Sequence, residues 1–124
     1  NFIAPPELAM PDEYKRFLKS KNIRYYEHTH FTDIISEADI IYMTRVQKER
    51  FTDPIEYEKV KNVYILKKKM LKNTKPTMKI LHPLPRVNEI HPDVDASPHA
   101  YYFTQALNGV FTREAIISHI MGVK

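Results

Sequence analysis

Residues 39–44, DIIYMT, form a nearly continuous apolar run. That is the pattern of a strand covered on both faces, not of one with a solvated side. TMKILH at 77–82 predicts another strand. Strands of this kind belong to parallel sheets, which need long crossovers, usually helical, between neighbours. The intervening sequence supplies them. PDEYKRFLKS at 11–20 predicts a helix: Pro11 suits the first turn, Asp12 and Glu13 favour the positive end, and Tyr14, Phe17 and Leu18 share a face. IRYYEHT at 23–29 is β-branched and aromatic and predicts a strand, and NFIAP reads as the end of another. FTDIISEA at 31–38 predicts a short helix capped by Thr32 or Asp33. TDPIEYEKVK at 52–61 has an aspartate cap with Pro54 in the first helical position. From Ser97 onward two helical segments are expected, meeting at a C-cap near Asn108–Gly109. The expected fold class is α/β, a parallel sheet flanked by helices.

The chain of 124 residues is at most one ordinary domain. No cysteine is present, which excludes disulfides, thiolate zinc sites and cysteine nucleophiles and is compatible with the cytoplasm. With only Gly109 and Gly122, neither a glycine-rich phosphate loop nor a dinucleotide fingerprint can be built from these residues. The longest apolar run is about four residues, far short of a membrane span. No signal peptide opens the chain, which begins at Asn1 and not at a methionine, so a fragment or processed product is expected. A net charge of +4 suits anionic metabolites or nucleic acid.

In open α/β sheets ligands bind beyond the carboxyl ends of strands. That rule selects TRVQKERF, after 39–43, and HPLPR, after 78–82. Arg45 offers a planar fork for a carboxylate or phosphate. Gln47 adds an amide donor, Lys48 and Arg50 raise the local field, and Glu49 can hold an arginine in place. The competing reading is a solvated charged loop. In HPLPR, Pro83 and Pro85 stiffen the turn while contributing no donors, which suits carbonyl oxygens that recognise an amino group; the alternative is a proline-rich loop with no ligand. Lys67, Lys68, Lys69, Lys72, Lys75 and Lys79 form a basic stretch, but without the aromatic interleaving of single-strand binders it reads as solvated surface. His28 and His30 share a strand face with no third ligand nearby, so no metal site is expected. Met70 and Met78 need only packing.

Together FIAPPELAMP, DIIYMTRVQKERF, ILHPLPRVNEI and DVDASPHAYYFTQALNGVFTREAI closely resemble the aspartate transcarbamoylase family, specifically its aspartate-binding half, in order and spacing across almost the whole chain. Sister ornithine enzymes carry a cysteine in the loop matching HPLP, and its absence here favours aspartate. The resemblance implies a Rossmann-like aspartate-binding domain. It also implies transfer of the carbamoyl group from carbamoyl phosphate to the amino group of L-aspartate in pyrimidine biosynthesis, with no metal or organic cofactor. Arg45 would grip a carboxylate of aspartate, with Gln47 lining the same pocket. The carbonyls of Leu84 and Pro85, across a cis bond, would face the reacting amino groups. Glu49, Arg50 and Arg86 would support the mobile loop and domain closure. The family works as a homotrimer in the cytoplasm, with no nucleic acid or membrane partner. Residues 1–124 would then be an aspartate domain lacking its first strand–helix unit. The amino-terminal carbamoyl-phosphate domain would be absent too, as would a lysine loaned by the neighbouring subunit. Two other classes compete: a binding or interaction module reusing this fold without turnover, and a basic nucleic-acid-binding domain.

Overall fold

The computed structural model describes residues 1–123, the side chains of Asp33 and Arg50 excepted. Among these residues the named strands are short and paired in parallel. β1 (Phe2–Ile3) pairs with β2 (Glu27–His28), Phe2 opposite Glu27. β3 (Ile40–Tyr42) pairs with β4 (Lys79–Leu81), Ile41 opposite Ile80 and Tyr42 opposite Leu81. On its other edge β4 bonds the 99–101 segment: the Ile80 N–H donates to the His99 carbonyl at 2.8 Å, and the Ile80 carbonyl accepts from the Tyr101 N–H at 3.1 Å. Bonded on both sides, Ile80 is fully buried, as is Met78 just before β4, as a central parallel strand requires. Leu66, Ile90, Val94 and Tyr102 complete the sealed centre, against which Phe31, Ile35, Ile41 and Met43 pack.

α1 (Asp12–Ser20) follows Pro11 and rests on the surface, with no buried residue. α2 (Pro54–Val60) begins with its proline, and the Asp53 carboxylate accepts from the Ile55 N–H at 2.8 Å, the cap that its sequence announced. α3 (Tyr102–Ile120) runs unbroken through Gly109. The break expected there does not form. One helical glycine costs only about 1 kcal/mol relative to alanine, and the good helix formers Gln105, Ala106 and Leu107 before it and Arg113, Glu114 and Ala115 after it lie within a turn or so.

The 31–38 segment is not an α-helix. A single 3₁₀ turn at Phe31–Asp33 follows His30 as its cap, so neither Thr32 nor Asp33 is its N-cap; the side chain of Asp33 lies outside the described residues. Phe31 and Ile35 are driven into the core, and so short a segment cannot repay the cost of helix nucleation by itself. The strand expected at 23–29 contracts to Glu27–His28, because β1, its partner, offers only two residues of ladder.

The start of α3 is tied to the loop after β4. The Arg86 guanidinium forks onto Asp95, Nη1 to Oδ1 and Nη2 to Oδ2, the latter at 2.5 Å. The Tyr102 hydroxyl donates to the same carboxylate and accepts from Arg86 Nη1 at 3.2 Å. The arginine hydrogen bonds hold the Asp95 carboxyl below its usual range. Burial, then the bond to Asp95, pushes the Tyr102 phenol up to about 12. A phenol raised from its ordinary value of about 10 contributes stability that is complete below that pH and is lost as pH rises through about 12. Urea melts across this window should therefore show an alkaline limb that Tyr102→Phe flattens, at a cost near neutrality of about 1 kcal/mol for the lost hydrogen bond. An alkaline limb identical in both proteins would remove Tyr102 as its source.

Candidate active site

β3 and β4 run parallel in register, Tyr42 opposite Leu81, and the Met43 N–H still donates to the Leu81 carbonyl at 2.9 Å. Their carboxyl ends therefore open on the same side of the sheet, and the two stretches singled out in the sequence leave the fold as neighbours.

From β3 the chain leaves through Thr44 to Arg45, which is half-buried. Its Nη2 meets Glu49 Oε1 at 3.5 Å, a single contact between side chains that are 38% and 69% exposed. A pair so long and so wet holds the guanidinium weakly, leaving its fork open to another carboxylate. Gln47 is exposed and caps the 3₁₀ turn Lys48–Arg50. The side chain of Arg50 lies outside the described residues.

The loop leaving β4 is held far more tightly. The His82 N–H donates to Gln105 Oε1 of α3 at 2.9 Å. The peptide bond between Leu84 and Pro85 is cis, and Leu84 has φ +48°. The Leu84 N–H donates to His82 Nδ1 at 2.8 Å, and His82 Nε2 lies 2.6 Å from Glu89 Oε1. The Glu89 carboxylate also accepts from the Val87 and Asn88 N–H groups at 3.2 and 3.1 Å. Asn88 bonds the Asn62 side chain. Arg86 spends its fork on Asp95, so its immediate work is to anchor this loop to Asp95 and, through the shared Tyr102 hydroxyl, to the start of α3.

An open cavity of about 1440 Å³ extends along β1 and β3. Among the described residues each of these strands is paired on one side only, and Ile40 and Tyr42 are more than half exposed. The cavity reaches Arg45 and Gln47 at the strand end, with Glu89 in its wall. Leu84 and Pro85 do not line it; they belong to the same loop as Glu89, with Leu84 half-buried and Pro85 exposed.

The buried His82–Glu89 pair and the Gln105 strut were not found by sequence reasoning. A glutamate close to apolar Val87 and Ile90, seven residues beyond a strand-terminal histidine, hints at a buried acid but at no particular partner. Elsewhere, His28 Nε2 bonds Asn1 Oδ1 at 2.9 Å. Of the lysine stretch, Lys75 pairs with Asp39 at 2.7 Å and Lys79 donates to the Pro98 carbonyl at 3.2 Å, so part of that charge serves the fold. The arrangement suits positioning chemistry: a loosely held guanidinium after one strand and a tightly bonded turn after its neighbour.

A sequence model described as aspartate/ornithine carbamoyltransferase, Asp/Orn binding domain, matches residues 1–120. The aspartate carbamoyltransferase catalytic subunit of Bacteroides thetaiotaomicron is 64% identical over 99% of this chain and 40% of its own length. The solved catalytic subunit of M. jannaschii aspartate transcarbamoylase superposes with a TM-score of 0.87 at 44% identity, covering 98% of this chain and 40% of that one. Aspartate transcarbamoylase from Trypanosoma cruzi, solved in complex with aspartate and phosphate, gives a TM-score of 0.76 at 30% identity over 94% of this chain and 36% of its own. The chain thus spans about 40% of the length of the curated relatives it matches.

Proposed function

We infer a function from one premise: the chain belongs to the aspartate/ornithine carbamoyltransferase family and is its Asp/Orn-binding domain. On that premise it is the aspartate-holding part of a carbamoyltransferase of pyrimidine biosynthesis. The amine of L-aspartate attacks the carbamoyl carbon of carbamoyl phosphate, the bond from that carbon to the phosphate oxygen breaks, and the amine gives up a proton. The observation that supports the reading is that the segments carrying Arg45 and the Leu84–Pro85 turn each follow one of two adjacent parallel strands at their carboxyl ends. Arg45 grips a substrate carboxylate and Gln47 lines the same pocket. The Leu84 and Pro85 carbonyls receive the reacting amino groups, and Glu49 and Arg50 steady the closing loop. Arg86 supports closure from its anchor on Asp95. Such a site works by orientation and by stabilising charge as it develops.

The remainder of a catalytic subunit has two places to attach. The half-paired strands β1 and β3 face one cavity, which suits one further parallel strand, the first strand–helix unit of the domain. α3 is apolar on several sides, with Phe103, Leu107, Phe111, Ile117 and Ile120 all more than half exposed. A helix of that character is normally covered, and the carbamoyl-phosphate domain is its proposed cover. The complete enzyme is a cytoplasmic homotrimer in this reading. Among the described residues no helix is long and apolar enough to cross a membrane.

The test is a graft. This chain replaces the matching segment of the B. thetaiotaomicron catalytic subunit, and the purified hybrid is assayed for carbamoyl-aspartate. Turnover comparable to the parent enzyme is expected. A folded hybrid that binds carbamoyl phosphate yet neither binds nor carbamoylates aspartate overturns the reading in favour of a module without turnover.

A further inference from the structure

We propose that His82 is a positioning residue. Its imidazole, held in one tautomer by Glu89, fixes the peptide that enters the left-handed Leu84 and so aims the turn that bears the Leu84 and Pro85 carbonyls. The target of those carbonyls rests on the carbamoyl-transfer reading; the wiring behind them is independent of it.

Leu84, at φ +48°, occupies a region that disfavours side chains because Cβ crowds the following carbonyl oxygen. A glycine would rest there freely, so a leucine needs a restraint. The restraint is visible. The Leu84 N–H points to His82 Nδ1 at 2.8 Å, and an amide N–H can only donate, so Nδ1 carries no proton and the ring proton sits on Nε2. That proton is directed at Glu89 Oε1, 2.6 Å away. The glutamate is itself fixed by two further donors, the Val87 and Asn88 N–H groups, so its carboxylate meets donors alone. Both side chains are buried, His82 at 2% and Glu89 at 4% exposure. Burying an imidazole and a carboxylate is costly where apolar side chains would fill the same space, but no apolar side chain offers an acceptor to Leu84. When the substrate amine attacks, its nitrogen gains positive charge, and carbonyls already in place stabilise it without reorganising. Arg45 acts on the carboxylate before and during reaction; His82 acts, through Leu84, chiefly on the step itself.

In the grafted enzyme His82→Asn keeps an acceptor where Nδ1 stood, because the carboxamide oxygen lies at the same branch from Cγ. His82→Leu keeps bulk and removes the acceptor. The expected result is that His82→Leu lowers kcat about a hundredfold with little change in aspartate KM, while His82→Asn retains most of kcat at a similar thermal midpoint. A third variant, Glu89→Gln, must oppose two donors somewhere in the cluster. Imidazole ¹⁵N NMR of histidine-labelled enzyme, assigned with His82→Asn, should show the proton on Nε2 in the parent and a displaced tautomer in Glu89→Gln. Equal kcat losses in the asparagine and leucine variants, tracking their loss of thermal stability, overturn the proposal, as does a parent ring protonated on Nδ1. An inactive but folded parent graft defeats the carbamoyl-transfer reading instead, and the NMR arm then still decides whether His82 restrains Leu84.

Discussion

In the grafted catalytic subunit Arg45→Ala should weaken the use of aspartate by about tenfold to a hundredfold while leaving carbamoyl phosphate binding nearly unchanged. The estimate comes from losing a charge-assisted fork, about 1.5–3 kcal/mol, with each 1.4 kcal/mol worth tenfold. Little of the loss is offset in the free enzyme, because among the described residues the partner given up is Glu49 at 3.5 Å, on an exposed surface. Arg45→Lys should recover little, since a point charge cannot reproduce a planar bidentate contact. Steady-state kinetics with each substrate varied in turn makes the distinction. Unchanged kcat and KM for aspartate in Arg45→Ala would sink the assignment of this residue.

The second large effect concerns the chain by itself. We expect the purified 124-residue chain to form no measurable carbamoyl-aspartate, and turnover to return when the rest of a catalytic subunit is supplied in trans. The half-paired β1 and β3 leave backbone groups without a ladder partner, and unpaired strand edges seek partners. The uncovered apolar side chains of α3 add to that tendency. Light scattering should accordingly show self-association of the isolated chain that diminishes as the complementary piece is titrated in. Robust turnover by the rigorously pure chain would show that no second piece is required.

The strands at the centre of the fold were legible from their apolar runs, although the expected cover on both faces does not hold for β3, where Ile41 is buried while Ile40 and Tyr42 are more than half exposed. Ile40–Tyr42 and Lys79–Leu81 fall inside the two runs that predicted them, and Pro54 with Asp53 marked the start of α2. Local rules failed where long-range packing decides. Gly109 read as a stop because glycine is a common helix terminator, yet α3 passes through it with flanking sequence that favours helix. The 31–38 segment read as a helix from its caps, whereas Phe31 and Ile35 are placed by what they bury. At the site, Arg45 and Gln47 could be chosen by their place after a strand, and the Leu84–Pro85 turn by its prolines and by family resemblance. His82, Glu89 and Gln105 could not, because a buried polar cluster that joins a strand end, a loop and a helix has no fixed spacing to recognise.

The contrast between the two strand-end segments bears on how new acceptors are reached. Residues 44–49 carry Arg45 on one long contact, with Gln47 and Glu49 in solvent. Residues 82–89 are bonded to one another, to α3 and to Asp95. On the carbamoyl-transfer reading, an acceptor amine with a different acidic arm would meet a permissive side and a conservative one. Libraries randomised over 44–49 should yield altered acid recognition at little expense in folding, whereas the same effort spent on 82–89 should return mostly collapsed proteins. On the carbamoyl-transfer reading, selectivity for the acid and competence toward the amine would be inherited by separate stretches of chain, the first free to drift while the second stands still.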